Sequence, residues 1–112
     1  MPKVIWVLVS CQTEREARQI GKAVLAQRLA ACAKSLDQED TWYFWPARAA
    51  HLTHQDGGAL LVLETLAPKY RAIAALVRKL HSDKLPSVGY LEIKGTSKEL
   101  LAWIRESLRP AS

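Results

Sequence analysis

The chain has 112 residues, of which 49% are hydrophobic and 24% are charged, and its formal net charge is +5. This length suits one ordinary domain, and the balance of apolar and charged residues excludes a disordered chain. The longest apolar run, Ile5 to Val9, is far too short to cross a bilayer, so no membrane partner is expected. We therefore expect a single domain over residues 1–112.

Charge and cysteine content narrow the class of protein further. The sixteen Lys and Arg residues are scattered along the chain among eleven acidic residues, without a basic run. This pattern favours a solvated mixed surface over a nucleic-acid footprint, and no nucleic-acid partner is expected. Two cysteines are too few for a disulfide framework, which predicts reduced thiols in a cytoplasmic protein.

The first elements in chain order are a strand and a helix. The apolar run Lys3–Ser10 is typical of a central strand. Thr13 and Glu16 form a T-x-x-E capping box, and apolar residues then recur at helical spacing. The spacing predicts a helix that runs to about Leu29 or Ala31.

Two strands are predicted in the middle of the chain. Thr41–Trp45, with the sequence TWYFW, is dense in aromatic and β-branched residues. Ala59–Thr65, with the sequence ALLVLET, is a second apolar run beyond a glycine-containing loop. We expect these two strands to pair as an antiparallel hairpin.

The last third of the chain predicts a helix, a strand and a final helix. Residues 68–80 carry an apolar stripe that begins at a proline, and Ser87–Ile93 is the fourth strand. Thr96 and Glu99 form a second capping box for the final helix. The whole order is the split β-α-β pattern of a ferredoxin-like α+β fold, β-α-β-β-α-β, with an extra C-terminal helix. Large apolar residues on the strands predict that the open sheet face is covered by self-association.

Three segments of the chain resemble the CutA divalent-cation-tolerance family. They are VLVSCQTEREA at residues 7–17, LAQRLAAC at residues 25–32 and LLAWIRES at residues 100–107. The resemblance covers nearly the whole chain. It implies a ferredoxin-like subunit of a homotrimer similar to the PII signalling proteins, with a link to tolerance of copper and other divalent cations.

The chain departs from the family pattern at three places. Pro46–Arg48 replaces E-G-K, Glu64 replaces a lysine, and Ser82–Lys84 replaces Pro-Tyr-Glu. Several of these positions line a lateral cleft near subunit junctions in the family. The resemblance therefore assigns Trp45, Glu64, Asp83 and Lys84 to a ligand cleft whose ligand is altered or lost.

Three residues are candidate metal ligands. His81, Cys11 and Cys32 offer the imidazole and thiolate groups that copper or zinc accepts. The alternative for His81 is a cap in the last turn of the second helix, and the alternative for each cysteine is a small buried hydrophobe. Cys11 and Cys32 are expected near opposite ends of the sheet. Because neither belongs to a C-x-x-C array, a closed zinc site within one subunit is not expected.

The remaining motifs have structural explanations. His51 and His54 form an H-x-x-H pair without further ligands, so a solvated loop is favoured. The aromatic block of residues 42–45 favours core or subunit packing over base stacking, because no RNP-like stretch accompanies it. No paired carboxylates, nucleophile with a base, or glycine-rich phosphate loop is present, and an enzyme is not expected.

Two functions follow from the sequence. In the first, a CutA-like trimer binds or senses copper or another divalent cation through His81 and the cysteines. In the second, a PII-like scaffold takes a small ligand or a protein partner at its subunit clefts without metal, and the loop from Pro46 to Gly58 contacts that partner.

Overall fold

The computed structural model of the protein describes residues 2–37 and 40–111. Residues 1, 38, 39 and 112 of the predicted domain lie outside the described residues. The elements in chain order are β1 (Val4–Cys11), α1 (Glu14–Ala26), β2 (Cys32–Asp37), β3 (Asp40–Tyr43), β4 (Thr53–Asp56), β5 (Ala59–Leu66), α2 (Tyr70–Leu80), β6 (Val88–Glu92) and α3 (Lys98–Ser107). A short 3-10 turn, Ala67–Lys69, leads into α2.

Four strands form the main sheet in the order β2-β5-β1-β6, and every neighbouring pair is antiparallel. Together with α1 and α2, these strands follow the predicted order of strand, helix, strand, strand, helix, strand, and α3 is the expected additional helix. The α+β class is therefore confirmed. None of the helices in the described part of the chain has the length and hydropathy needed to cross a membrane.

The pairing predicted for the aromatic strand is wrong. β3 pairs with β4 in a separate two-stranded arm, whereas β5 pairs with β1 and β2. The main-sheet strand β2 was not predicted, because its sequence CAKSLD contains no aromatic or β-branched residue. Its pairing with β5 supplies the stability that its own propensity does not.

The core lies between the main sheet and the two helices α1 and α2. Alternate residues of β1 point toward these helices, so Ile5, Val7, Val9 and Cys11 are buried. The opposite face of β1 and β5 is covered at one end by α3, where Ile104 packs against Val4 and Leu66. This alternation places Cys11 beneath the helices at the last position of its strand.

The observed start of α1 agrees with the prediction, whereas the end of α1 and the cap of α3 differ from it. The Thr13 hydroxyl accepts a hydrogen bond from the Glu16 N–H at 3.0 Å, which confirms the first cap. α1 ends at Ala26, earlier than predicted, because the chain turns at Arg28 with a φ of 57°. The second capping box is wrong by one residue, since Ser97 caps α3.

Large apolar side chains remain exposed on the strands and the arm. Leu36 and Leu91 on the main sheet are 54% and 55% exposed, and Trp42 on the arm is 61% exposed. Packing of the aromatic block into the core of this chain is therefore wrong. The subunit-packing alternative remains a prediction.

Candidate metal cluster and adjacent cleft

His81 lies where the end of α2 meets the end of β1. It is the first residue beyond α2, with an extended backbone, and its N–H still donates to the Val77 carbonyl at 2.8 Å. The ring is fully buried. His81 was predicted in the last turn of the helix, and it lies one position later, at the C-cap. Its side chain points into the protein and does not cap the end of the helix.

Both ring nitrogens of His81 have hydrogen-bond partners on the main chain. Nε2 lies 2.7 Å from the Ser10 carbonyl, and Nδ1 lies 3.0 Å from the Asp83 backbone nitrogen. Because a carbonyl only accepts and a backbone N–H only donates, the geometry assigns the neutral tautomer with its proton on Nε2. His81 therefore joins β1 to the segment after α2.

Glu16 reaches the same joint from the first turn of α1. Its Oε1 accepts from the Gln12 N–H at 3.0 Å, and its Oε2 accepts from the Ser82 N–H at 2.9 Å. Partial burial raises the pKa of this carboxyl group, but hydrogen bonds from Ser82 and Gln12 outweigh burial, so the pKa lies below its ordinary value. The sequence indicated Glu16 only as part of a helix cap, since nothing local predicts a contact with residue 82.

Cys11 completes the joint. Its side chain is 3% exposed, and its Sγ lies 3.8 Å from the Val9 carbonyl. Burial, together with the smaller effect of the nearby Glu16 and Asp83 carboxylates, raises the pKa of the thiol to about 12. The group is a neutral thiol at physiological pH.

The ligand atoms of Cys11, Glu16 and His81 lie within 4.8 Å of one another. Sulfur, oxygen and imidazole nitrogen form a donor set of the kind that zinc and copper accept. The set therefore fits a cation of this class in ligand type and number. Binding must displace the Cys11 proton and one of the two His81 hydrogen bonds, which couples the affinity to pH.

A cleft of about 500 Å³ opens beside this cluster. Three segments line it: the end of β1, the loop after α2 and the inner side of the arm. Its lining includes Tyr43, Trp45, Gln55, Lys84 and Cys11. Its volume is within the usual range for small-molecule sites, and it combines aromatic surface with amides, the Lys84 ammonium group and the Asp83 carboxylate.

Of the four residues that the resemblance assigns to a ligand cleft near subunit junctions, Trp45, Asp83 and Lys84 line this cleft within the chain, and Glu64 does not. Glu64 is 8% exposed in β5, and its Oε2 accepts a hydrogen bond from the Trp6 indole N–H at 3.0 Å. The strand register pairs these two residues on the sheet face opposite α1 and α2. Glu64 is therefore a satisfied polar group of the sheet.

Cys32 is not part of the metal cluster. It stands opposite Glu64 on β5, whereas Cys11 stands opposite Ala59, so the two cysteines lie toward opposite ends of the sheet. The Lys34 ammonium group donates a hydrogen bond to the Cys32 sulfur at 3.5 Å. Both cysteines are free thiols.

The histidines of the arm do not approach the cluster. His54 belongs to β4, so the predicted loop is wrong for this residue, and its ring stacks on Trp42 at 5.0 Å. Its Nε2 lies 2.5 Å from Asp40 Oδ1. His51 is exposed before β4. The sequence spacing of this pair did not show that the His54 ring contacts Trp42 and Asp40 within the arm.

Known proteins agree with this class of fold. The model of a family described as the CutA1 divalent ion tolerance protein matches residues 5–107. The divalent-cation tolerance protein CutA of Thermus thermophilus is 30% identical over 90% of this chain and 94% of its own length. The CutA homolog of Danio rerio is 28% identical over 91% of this chain, which spans 65% of that relative.

A solved structure shows the same fold. The protein from Archaeoglobus fulgidus, described as a periplasmic divalent cation tolerance protein CutA, superposes with a TM-score of 0.86 at 22% identity, covering 95% of this chain and 99% of the other. Fold and site define a small α+β protein with a buried three-donor cluster beside a cleft. The family match extends from β1 to the end of α3, and the chain belongs to the CutA1 divalent ion tolerance family.

Proposed function

We propose that this protein acts in divalent-cation tolerance as a non-catalytic protein that binds copper or another divalent cation. The observation that carries the proposal is the convergence of Cys11, Glu16 and His81 within 4.8 Å. The names of its relatives support the same role. Cys32 has no part in this site.

The residues of the cluster have distinct roles in the proposal. The Cys11 sulfur supplies the soft ligand that favours copper or zinc over magnesium or calcium. Glu16 supplies a carboxylate that is already ionised at neutral pH, because the pKa of this group lies below its ordinary value. His81 supplies an imidazole nitrogen after it releases either Ser10 or Asp83.

Metal binding is tested by anaerobic calorimetric titration of the reduced protein with Zn²⁺ and Cu²⁺. We expect one ion per chain, and we expect Cys11→Ser to weaken binding by about 100-fold or more, since it removes a ligand and not merely an outer partner. Cys32→Ser is the matched control and should bind as the natural chain does. Equal binding by both variants, or none by the natural chain, would contradict the proposal.

The proposal includes assembly as a homotrimer. Leu36, Tyr90 and Leu91 leave apolar surface on the main sheet, and the arm exposes four aromatic residues in succession. Exposed apolar side chains of this number and size favour burial against other copies of the chain. Light scattering should give three times the mass of one chain, and a monomer at micromolar concentration would contradict this part of the proposal.

The cleft supports a second candidate function. In this alternative the protein is a PII-like scaffold, and the cleft beside Trp45 and Lys84 takes a small organic anion. Its size, its aromatic surface and the Lys84 ammonium group favour such a ligand, and the Asp83 carboxylate in the same lining directs the anionic group toward Lys84. The arm, which forms one wall of the cleft, would then transmit occupancy to a partner.

Binding in the cleft is tested with the aromatic anion anilinonaphthalene sulfonate as the probe. We expect its fluorescence to rise with the natural protein and to fall for Trp45→Ala and Lys84→Gln. Trp42→Ala is the matched control, because Trp42 is equally exposed on the arm but does not line the cleft. An equal signal from all variants would exclude the cleft as the binding site.

We also infer a cytoplasmic location and the absence of catalysis. Two free thiols suit a reducing compartment, and the protonated Cys11 is a poor nucleophile. Fractionation of cells that express the untagged chain tests the location. Recovery outside the cytoplasm, as the description of the Archaeoglobus relative would predict, would overturn it.

A further inference from the structure

The positive charge of the chain is concentrated in its helical layer. Residues 14–28 and 69–80 contain eight of the sixteen basic residues and only two of the eleven acidic ones. The rest of the chain is close to neutral. This concentration of charge is not evident from the sequence, because two strands and the arm lie between the two helical segments in the chain.

The helical spacing directs these charges outward. Ile20 and Val24 of α1 face the core, and Arg15 and Lys22 lie on the opposite side of that helix, two turns apart. On α2, the core-facing residues are Ile73 and Val77. Arg71, Arg78 and Lys79 lie on the opposite side. We call these five exposed cations, Arg15, Lys22, Arg71, Arg78 and Lys79, the basic helical face.

The acidic side chains that the structure describes on these helices do not neutralise this face. Glu14 pairs with Arg18 at 2.6 Å, and Glu16 turns inward to the joint with Ser82. Within residues 2–37 and 40–111, none of the five cations takes part in an ion pair. The face therefore presents a positive potential that attracts polyanions.

We propose that the basic helical face binds the phosphate backbone of double-stranded nucleic acid without sequence preference. Three of its five cations are arginines, whose guanidinium groups match phosphate geometry. The sequence argument against a backbone-binding nucleic-acid partner was that basic residues are scattered among acidic ones along the chain. The fold removes that reason.

The other polyanions fit this face less well. Anionic membranes are held by helices that also insert apolar residues, and single strands are held by stacked aromatic residues. The residues between the cations are small, such as Ala26 and Ala75. Leu80 is exposed at the end of α2, but it lies on the same side of the helix as the core-facing Ile73 and Val77. It therefore points away from the basic helical face.

The test is fluorescence anisotropy with the full chain and two labelled DNA duplexes of unrelated sequence. We expect equal affinity for both. If about four phosphates are neutralised, the affinity should fall by about 100-fold between 50 and 200 mM salt. No binding at the lower salt concentration would overturn the proposal.

Two double variants separate the face from net charge. Arg71→Gln with Arg78→Gln should weaken binding by about 10-fold or more at low salt and reduce the salt slope by about two. Lys94→Gln with Lys98→Gln changes the net charge equally at exposed positions away from the face and should have little effect. Circular dichroism verifies that both variants are folded. Equal losses in the two pairs would overturn the proposal, as would binding to phosphatidylserine vesicles without binding to either duplex.

Discussion

Replacing His81 by alanine tests whether this residue is primarily a structural joint in the metal-free protein. The substitution removes the donor to the Ser10 carbonyl at 2.7 Å and the acceptor of the Asp83 N–H at 3.0 Å. It also leaves a cavity where a fully buried ring stood. Each effect contributes roughly 1 kcal/mol, so we expect a loss of about 2 to 4 kcal/mol in the free energy of unfolding.

This loss is measurable by urea unfolding in the presence of a chelator. For a chain of this size, the midpoint should fall by about 1 to 2 M urea. His81→Gln should lose less than alanine, since its side-chain amide can still donate toward Ser10. His54→Ala is the matched control at an exposed ring and should change the free energy by less than about 1 kcal/mol.

One result would refute the structural role of His81. If His81→Ala unfolds at the natural midpoint without metal, the two hydrogen bonds contribute nothing to folding. The ring would then be retained for a ligand alone. A large destabilisation without metal would instead show that any ligand role is added to a joint that the fold already needs.

Three further predictions concern the joint and the turn beside it. Iodoacetamide at pH 8 should modify Cys32 in the native protein and spare Cys11, because raising a thiol pKa from 9.0 to about 12 lowers its thiolate fraction by roughly 1000-fold. Mass spectrometry of the labelled protein checks this prediction. Equal labelling of the two cysteines would contradict the burial of Cys11. The pKa of Glu16 is lowered in the folded state, so its stabilisation is fully present above the ordinary pKa of 4.5 and is lost as pH falls through the folded value. Glu16→Gln should therefore be less stable at pH 7 and show a flatter loss of stability in acid, whereas parallel acid curves would count against the prediction. Gly58→Ala should destabilise by about 2 kcal/mol, since φ is +103° and the new Cβ would lie 3.0 Å from a backbone oxygen. Gly57→Ala, with φ at +87° and no close atom, should cost less in the same urea assay; equal costs would show that the contact is relieved.

Local signals in the sequence predicted the parts of the fold that local forces determine. The Thr13 cap depends on residues three positions apart and was predicted correctly. β2 was missed because its sequence has weak strand propensity, and only its pairing with β5 makes it a strand. The hairpin partner of Thr41–Trp45 was wrong for the related reason that register between strands is a non-local property.

The candidate site was predictable only as a set of residue types. Cys11 and His81 were identified as candidate ligands, but their approach depends on where β1 and α2 end in space. The sequence indicated Glu16 only as part of a helix cap, because no local pattern predicts its hydrogen bond with the Ser82 N–H. Glu64 was assigned to a cleft through the resemblance alone, and the register of β5 places it opposite Trp6, away from the Cys11 end of β1.

The separate hydrogen bonding of the arm has a consequence for protein engineering. In the described residues, β3 and β4 pair only with each other and share no ladder with the main sheet. Residues 44–52 connect them at the tip, where the chain is largely exposed. A peptide tag or fluorophore inserted there, beyond the cleft-lining Trp45, would lengthen the arm without shifting the register that holds β2 against β5. The tip is therefore the place to attach a reporter that leaves the joint around His81 intact.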